Sequence, residues 1–312
     1  MRSFLGSGIS AFGYLASLIV FNLLAAVLPA SANDAPLPKA VWEGSGQTPE
    51  TGLPDGEFAF YEVGGKTKIA AWYGSPTTRY RHGILGDAIE AGSLHVEYRD
   101  GRRLSLTLPS TEVFEDRTPR LADMDGDGRP EVITIRSYVK AGASVAIFGV
   151  RDEKLVELAS TAAIGRPNRW LNIAGIADYA GHGTPQISYV ETPHIGGTLY
   201  FVKWQGSKLI PIASMPGFSN HKIGSRNQNL SADIFYNDDS LPDLGVPSDS
   251  RRTLKIIGFA NGQLEELDRF SLPNAVKSRA DHQAGNQNNC LRLKLESVEV
   301  FDLCSPHSAR GK

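Results

Sequence analysis

Acidic residues alternate in one short segment of this 312-residue chain. Asp123, Asp125 and Asp127 are separated by single residues, and Glu131 follows four residues after the third aspartate. Carboxylates at this spacing in a tight loop can surround one hard cation, and Ca²⁺ takes about six to eight oxygen ligands. The next residues, Val-Ile-Thr-Ile at 132–135, are β-branched and predict a strand, which excludes an EF-hand because its loop leads into a helix. The segment therefore predicts a β-structure that holds a metal ion.

The acidic segment recurs, with changes, 55 residues further along the chain. The residues at 121–131, Leu-Ala-Asp-Met-Asp-Gly-Asp-Gly-Arg-Pro-Glu, align with Ile-Ala-Asp-Tyr-Ala-Gly-His-Gly-Thr-Pro-Gln at 176–186. The same offset applied again leads to Asp233. Self-similarity at a fixed period is typical of repeat architectures, and the turns Asp-Glu, Gly-Ser and Asn-Gly suit hairpins.

Each repeat unit is predicted to contain four short strands, because alternating apolar runs follow each segment. The predicted strands are 120–123, 132–137, 144–150 and 154–160 in the first unit, 172–179, 186–191, 198–204 and 208–214 in the second, and 230–236, 244–247, 253–259 and 263–270 in the third. A weaker unit is expected around 83–89, 94–98 and 103–108. A hairpin at 57–73 and a strand at 291–301 complete the prediction.

Four-stranded antiparallel units that repeat around an axis form a β-propeller. We therefore predict an all-β fold, a β-propeller of four-stranded antiparallel blades with about five blades. The strands at 57–73 and 291–301 are expected to share one blade and close the ring, which removes exposed sheet edges. A β-solenoid is the alternative, and the hairpin turns argue against it.

The acidic segment resembles the FG-GAP/VCBS repeat, with Asp-x-Asp-x-Asp-Gly-x-x-Glu preceded by Leu-Ala and followed by Val-Ile. The segments 165–172, 190–199 and 217–226 resemble a bacterial exported branch of that family, and the likeness covers about residues 80 to 275. It implies a propeller of the integrin-α type with Ca²⁺ in the loop after an innermost strand. It implies no activity, because a fold does not determine a function. Carried onto this chain, it implies that Ca²⁺ is held by Asp123, Asp125, Asp127, the Arg129 carbonyl and Glu131.

One bound Ca²⁺ is expected. The second unit has lost the site, because Ala180, His182 and Gln186 replace three of the ligands. A second ion in the third unit is left open, since its acidic and amide residues have altered spacing, namely Asp233, Asn237, Asp238, Asp239 and Asp243. The alternative for the first unit is a plain Asp-Gly turn, but clustered carboxylates without a cation would repel each other.

Sorting the loops by the end of the predicted propeller on which they lie separates a basic face from an acidic face. The basic face is predicted to bind an anionic or polyhydroxylated ligand, because Arg suits carboxylate and phosphate and Trp suits a sugar face. The candidate ligand-binding residues are Arg81, His82, Arg166, Asn168, Arg169, Trp170, His194, Asn220, His221 and Arg226. The alternative is that these loops carry ordinary solvated charges and that Trp170 packs between blades.

An enzyme is the less favoured interpretation. His82, His194 and His221 can converge on a transition metal, which would indicate a hydrolase. No H-x-H, H-E-x-x-H or G-x-S-x-G motif accompanies them, and no catalytic residue is predicted. A binding or scaffold module with a protein or carbohydrate ligand is therefore preferred, with a structural component of an envelope complex as a further alternative.

The N-terminus predicts export. Arg2 is the only charge before Asp34, and an apolar run at 15–28 ends in Pro-Ala-Ser-Ala. This is typical of a cleaved signal peptide, and the run is shorter than the roughly 20 residues that a membrane span needs. An uncleaved anchor is the alternative. The predicted organisation is a signal peptide at 1–32, a linker at 33–50, the propeller at 51–303 and a tail at 304–312, in a periplasmic or secreted monomer.

The cysteines and the charge agree with this location. Cys290 and Cys304 are the only two cysteines, and in an exported protein they are predicted to form a disulfide. The formal net charge is −2 and no basic run occurs, which argues against nucleic-acid binding.

Overall fold

The computed structural model describes residues 51–279, 290–297 and 299–306. All of them belong to the compact unit Pro36–Lys312. The predicted signal peptide at 1–32 and linker at 33–50 lie outside the described residues, as do residues 307–312 of the predicted tail. The described part of the chain contains no helix, and thus none that is long and apolar enough to cross a membrane.

Twenty strands run through the described residues. They are β1 (Ala59–Val63), β2 (Lys66–Thr77), β3 (Glu90–Tyr98), β4 (Arg103–Thr107), β5 (Glu112–Phe114), β6 (Arg120–Ala122), β7 (Glu131–Tyr138), β8 (Gly142–Arg151), β9 (Lys154–Ser160), β10 (Leu171–Ala177), β11 (Gln186–Glu191), β12 (Thr198–Gln205), β13 (Lys208–Pro216), β14 (Ala232–Ile234), β15 (Asp243–Pro247), β16 (Thr253–Ala260), β17 (Gln263–Ser271), β18 (Val276–Arg279), β19 (Cys290–Leu295) and β20 (Val300–Cys304). The predicted all-β class is confirmed.

The three predicted repeat units each form a four-stranded antiparallel run. These are β6–β9, β10–β13 and β14–β17, and consecutive strands pair as hairpins within each run. The alternation of β-branched and polar residues places the strands, and the turns between them hold positive-φ residues such as Glu153 (58°) and Asn261 (53°).

The first two repeat units belong to one 13-stranded sheet. A single parallel pair, Lys208 with Ser160, joins β13 to β9, and β5 bridges β3 and β7. Eleven of the strands form one continuous path that curls into a half-barrel. The closed ring of about five blades stays a prediction.

The predicted N-terminal hairpin forms, since β1 pairs with β2, but its further partner differs from the prediction. β2 pairs with β3 and β3 with β4, so β1–β4 form a four-stranded run of their own. The predicted strand at 291–301 is instead divided between two strands, β19 and β20, which pair with each other. β19 also pairs with β18. The predicted sharing of one blade by 57–73 and 291–301 is therefore wrong for the described strands. The reason is packing, because apolar residues of β2 and β3, including Tyr73 and Leu94, lie in one core cluster.

Four apolar clusters fill the spaces between consecutive units. The cluster with Phe114 and Phe148 lies between β1–β4 and β6–β9, and the cluster with Ile147 and Ile187 lies between β6–β9 and β10–β13. A third cluster lies between β10–β13 and β14–β17, and a fourth lies between β14–β17 and β18–β20. Sheets stacked in this way bury both faces, which explains why β7 is buried along nearly its whole length.

Cys290 and Cys304 form a disulfide at directly paired positions of β19 and β20. Cys304 thus ends a strand, and the Ser305 hydroxyl donates a hydrogen bond to the Tyr236 carbonyl at 2.5 Å. Ser305 thus remains in contact with the third repeat unit.

Candidate functional site

The predicted calcium ligands lie in the loop between β6 and β7, here called the acidic loop (residues 123–131). The Asp123 carboxylate accepts hydrogen bonds from the Gly126 N–H at 2.7 Å and the Gly128 N–H at 2.8 Å. Both glycines have positive φ, which allows the chain to fold back around the carboxylate. Oxygens of Asp123, Asp125 and Glu131 lie within 4.8 Å of one another. Three of the predicted ligands therefore converge.

Asp127 and Arg129 instead pair with each other. The Asp127 carboxylate accepts from the Arg129 guanidinium at 2.7 Å and from its N–H at 2.8 Å. These hydrogen bonds lower the pKa of Asp127, and both residues are exposed. Asp127 is thus not part of the convergent cluster.

Glu131 is the buried member of the acidic loop. It begins β7, and its Oε2 accepts a hydrogen bond from the Met124 N–H at 3.0 Å. Burial raises the pKa of Glu131 to about 7, and the charges of Asp125, Asp127 and Asp123 add to the rise. A buried carboxylate surrounded by like charges requires either a proton or a cation.

The second unit shows what replaces a cation. Asp178 accepts from the Gly183 N–H at 2.6 Å, as Asp123 accepts from Gly128. Gln186, the counterpart of Glu131, points its amide nitrogen at the Thr184 carbonyl (2.6 Å) and, more distantly, at Asp178 (3.5 Å). Thr184 is the counterpart of Arg129 in the aligned segments. The uncharged NH₂ group of Gln186 therefore lies between a carboxylate and a carbonyl. A cation in the first unit would lie between the equivalent groups, the Asp123 carboxylate and the Arg129 carbonyl.

The third unit has a different register from the predicted one. Strand pairing makes Ala122, Ala177 and Ile234 equivalent, because each lies opposite the first residue of the next strand. Phe235 therefore stands at the position of Asp123, and the alignment of Asp233 with Asp123 is wrong by two residues. The loop itself has the same length in all three units, so the two additional residues lie before β14, where the offset alone does not reveal them.

Asp233 has a structural partner. It lies inside β14 and accepts a hydrogen bond from the Tyr179 hydroxyl, while burial raises its pKa. Asp243 accepts from the N–H groups of Tyr236 and Asn237 at 3.1 and 3.4 Å. Among the described residues, the acidic loop holds the one group of three acidic, histidine or cysteine side chains whose ligand atoms all lie within 4.8 Å of one another.

A second candidate site is a cavity of about 240 Å³ formed by loops that precede β3, β10, β12 and β14. Five of the predicted ligand-binding residues line it: His82, Asn168, Arg169, Trp170 and His194. The other lining residues are Ile84, Thr192, Ile195 and Ile223. We call this the histidine cavity. Ile195 and Ile223 are 59% and 66% exposed, so the cavity has an apolar rim open to solvent.

His82 is held by a buried carboxylate. Its Nδ1 lies 2.6 Å from Oε1 of the fully buried Glu115, and the Ser137 hydroxyl donates to Oε2 at 2.5 Å. Burial raises the pKa of Glu115, and these hydrogen bonds oppose the rise. The Trp170 indole N–H donates to the Glu115 carbonyl at 3.0 Å. Sequence reasoning missed Glu115 and Ser137 as site residues, because nothing local marks an acid that lies 33 positions from its histidine.

His194 and His221 form a neutral pair. His221 Nε2 lies 2.9 Å from the Ser225 carbonyl, and His194 Nε2 lies 2.9 Å from His221 Nδ1. Burial is the main cause that lowers the pKa of His194 to about 4 and that of His221 to about 3, and Arg251 adds to both shifts. His221 is fully buried behind His194 and has both ring nitrogens occupied, so it does not serve as a ligand. The three histidines therefore gather near Trp170 without forming a three-histidine metal site.

Four other predicted ligand residues lie elsewhere. Asn220 is fully buried and exchanges side-chain to backbone hydrogen bonds with Asn172 at 3.1 and 3.2 Å, which ties the loop before β14 to strand β10. Arg81 and Arg166 are exposed and are not among the residues lining the cavity. Arg226 pairs with Asp55 at 3.3 Å and Asp87 at 3.1 Å. These four residues therefore lie outside the histidine cavity, and in Asn220 and Arg226 the polar atoms are taken by backbone groups and by loop carboxylates.

Arg226 lines a different cavity of about 470 Å³. This second cavity is bordered by Glu57, Arg117, Arg120, Asp233 and Arg279 as well as by backbone of β10. Its charges are largely balanced, because Arg117 pairs with Glu57 at 2.6 Å and with Asp55 at 3.2 Å, and Arg120 pairs with Asp116. It therefore lacks the excess of free cations that an anion site would need.

Two residues that line the histidine cavity have unusual backbone conformations. Asn168 has φ 54° and Thr192 has φ 49°. A positive φ is tolerated by Asn but costs a β-branched residue about 1–3 kcal/mol, and such strain is concentrated at functional sites. The strain at Thr192 supports a functional role for this cavity.

Comparison with known proteins finds no matching family model and no curated protein with significant similarity to this chain.

Proposed function

We propose that this protein is an exported, calcium-stabilised β-propeller of the FG-GAP/VCBS type that acts as a binding or scaffold module, with its ligand in the histidine cavity. The observation that carries the proposal is the cavity itself. It gathers five predicted ligand residues, an oriented imidazole, a strained threonine and two exposed isoleucines.

The propeller part of the proposal is supported by serial packing. Apolar clusters separate consecutive four-stranded runs, and β1 contacts β6, β10 contacts β14, and β14 contacts β19. Stacking of such runs around an axis accounts for strands that are buried on both faces, such as β3 and β7.

The calcium part rests on the acidic loop. Asp123, Asp125 and Glu131 would hold the ion, with the Arg129 carbonyl as a further oxygen, and the ion would neutralise the buried Glu131. Extracellular calcium modules bind with Kd near ~10⁻⁴–10⁻³ M, so its role is to stabilise the fold. Export is supported by the Cys290–Cys304 disulfide, which persists in oxidising compartments.

The cavity favours a polyhydroxylated ligand over a polyanion. Arg169 is the one arginine among its lining residues, and His194 is neutral at physiological pH because of its lowered pKa. Imidazole nitrogens with free lone pairs accept hydrogen bonds from hydroxyl groups. The exposed Ile195 and Ile223 offer an apolar surface to the C–H face of a sugar ring.

Isothermal titration of wild-type protein with neutral disaccharides and with dextran sulfate tests this proposal. We expect a neutral saccharide to bind and an Arg169→Ala/His194→Ala variant to bind it about 10-fold or more weakly. Arg166→Ala, in the same loop but outside the cavity, is the matched control. Binding of dextran sulfate alone, equal weakening by Arg166→Ala, or no binding of either probe would overturn the ligand assignment.

A further inference from the structure

Two histidines that line one cavity, His82 and His194, each have one ring nitrogen already held by a hydrogen bond. With Glu115 ionised and accepting from the Ser137 hydroxyl at Oε2, Nδ1 of His82 carries the proton that is shared with Oε1, so the lone pair of His82 is on Nε2. Metal-binding histidines almost always donate their other N–H to a carboxylate or a carbonyl, which sets the tautomer and the ring orientation. The Glu115 carboxylate sets the tautomer and the ring orientation of His82 in this way.

The tautomer of His194 is set by its hydrogen bond to His221. A carbonyl oxygen only accepts, so the contact with Ser225 requires the proton of His221 to be on Nε2. His221 Nδ1 is then an acceptor, and His194 must donate to it from Nε2. The lone pair of His194 is consequently on Nδ1.

Trp170 lies beside His194 and is hydrogen-bonded to the residue that holds His82. Its ring is stacked nearly parallel to that of His194 at 6.2 Å, and its N–H donates to the backbone of Glu115. His82 and His194 both line the histidine cavity together with the strained Thr192. The cavity wall therefore carries two imidazoles whose rings are already oriented by their other nitrogens.

We propose that His82 Nε2 and His194 Nδ1 bind one divalent transition-metal ion, of the Zn²⁺ or Cu²⁺ class, at the polar end of the histidine cavity. Imidazole nitrogen suits these ions, whereas Ca²⁺ and Mg²⁺ prefer oxygen. Two protein ligands leave coordination positions open to water or to ligand oxygens. The inference rests on the proposed role of this cavity as a binding site, and it names an ion that would complete it.

Titration with Zn²⁺ in the presence of excess Ca²⁺, which keeps the acidic loop occupied, tests the site. We expect one Zn²⁺ per chain, and at least about 10-fold weaker binding by His82→Ala, by His194→Ala and by the positioning variant Glu115→Gln. His182→Ala, an exposed histidine in the β10–β11 turn, is the matched control. Circular dichroism of each variant verifies folding.

A Cu²⁺-loaded sample gives a second readout. Its electron paramagnetic resonance spectrum is expected to show coupling to two imidazole nitrogens, reduced to one in either histidine variant. The proposal is overturned if wild-type protein binds no Zn²⁺, or if both variants bind it as wild type does. Saccharide titration in EDTA separates the two proposals. If the protein binds saccharide in EDTA and has no Zn²⁺ site, the metal site is refuted and the binding function is kept. If it binds Zn²⁺ but no saccharide, the metal site is kept and the proposed saccharide binding is refuted.

Discussion

His194 and His221 are joined ring to ring by a hydrogen bond of 2.9 Å between Nε2 of the first and Nδ1 of the second. The pair ends at the Ser225 carbonyl, so neither ring gains from a positive charge. A face that is rich in Arg and His by composition is therefore far less cationic at this point than its residues indicate.

Acid is expected to destabilise the protein through this pair. Unfolded histidines titrate near ~6.5, whereas the pKa is about 4 for folded His194 and about 3 for folded His221. As the pH falls below ~6.5, the unfolded state takes up protons first, so the free energy of unfolding decreases until the folded pKa values are passed. Urea denaturation of wild type and His194→Gln at pH 7 and pH 5 measures this decrease, which the variant should reduce.

His182→Gln is the control, because this exposed side chain should leave the pH dependence unchanged. Glu90 and Glu131 act in the opposite direction, since burial raises their pKa values to about 9 and about 7. Both are present in all three proteins, so they cancel in the comparison. An identical loss in wild type and His194→Gln would contradict the prediction.

Calcium is expected to stabilise the fold through Asp123. At a free concentration 100-fold above Kd, one site raises the free energy of unfolding by about 2.7 kcal/mol. Denaturation with and without Ca²⁺ measures this gain, and Asp123→Asn should abolish it. Asp178→Asn alters the equivalent residue of the second unit and should retain the full response. Equal calcium responses in both variants would refute the site.

Glu131 and Gln186 occupy the same position in the first and second units. Two single variants, Glu131→Gln and Gln186→Glu, test whether they are equivalent. Glu131→Gln is expected to lose the calcium response but to remain stable in EDTA, because its amide can bridge as that of Gln186 does. Gln186→Glu should lower the free energy of unfolding in EDTA by about 1–3 kcal/mol, since it removes a buried donor and opposes Asp178 with a second carboxylate. Chemical denaturation of both variants provides the measurement, and a destabilised Glu131→Gln with a stable Gln186→Glu would reverse the interpretation.

Gly175 is expected to tolerate no side chain. A Cβ at this position would lie 2.3 Å from both Asp233 Oδ1 and the Tyr179 hydroxyl oxygen. Gly175→Ala should therefore cost about 1–3 kcal/mol of the free energy of unfolding, as overpacking does. The double variant Gly175→Ala/Asp233→Ala relieves part of the overlap, so its cost should be less than the sum of the two single changes. Thermal denaturation gives all three values, and strict additivity would argue against the overlap.

Local features were predictable because they depend on neighbouring residues. The strands β9 (Lys154–Ser160) and β11 (Gln186–Glu191) have the predicted bounds, since β-branched runs and hairpin turns act over a few positions. The acidic loop was predictable for the same reason, because Asp123 accepts hydrogen bonds from Gly126 and Gly128, which lie three and five residues further along the chain. The register of the third unit was not, because the strand pairing of Ile234 with Asp243 is decided by packing and loop length.

The amino-acid sequence by itself determined the all-β class, the repeating four-stranded runs and a loop in which carboxylates converge, since short-range sterics and hydrogen bonding produce these. Only the tertiary structure decided that β2 pairs with β3, that Glu115 anchors His82 across 33 residues, and that His221 is buried behind His194. These relationships depend on which apolar faces pack together. Packing is cooperative over the whole domain, and no local pattern encodes it.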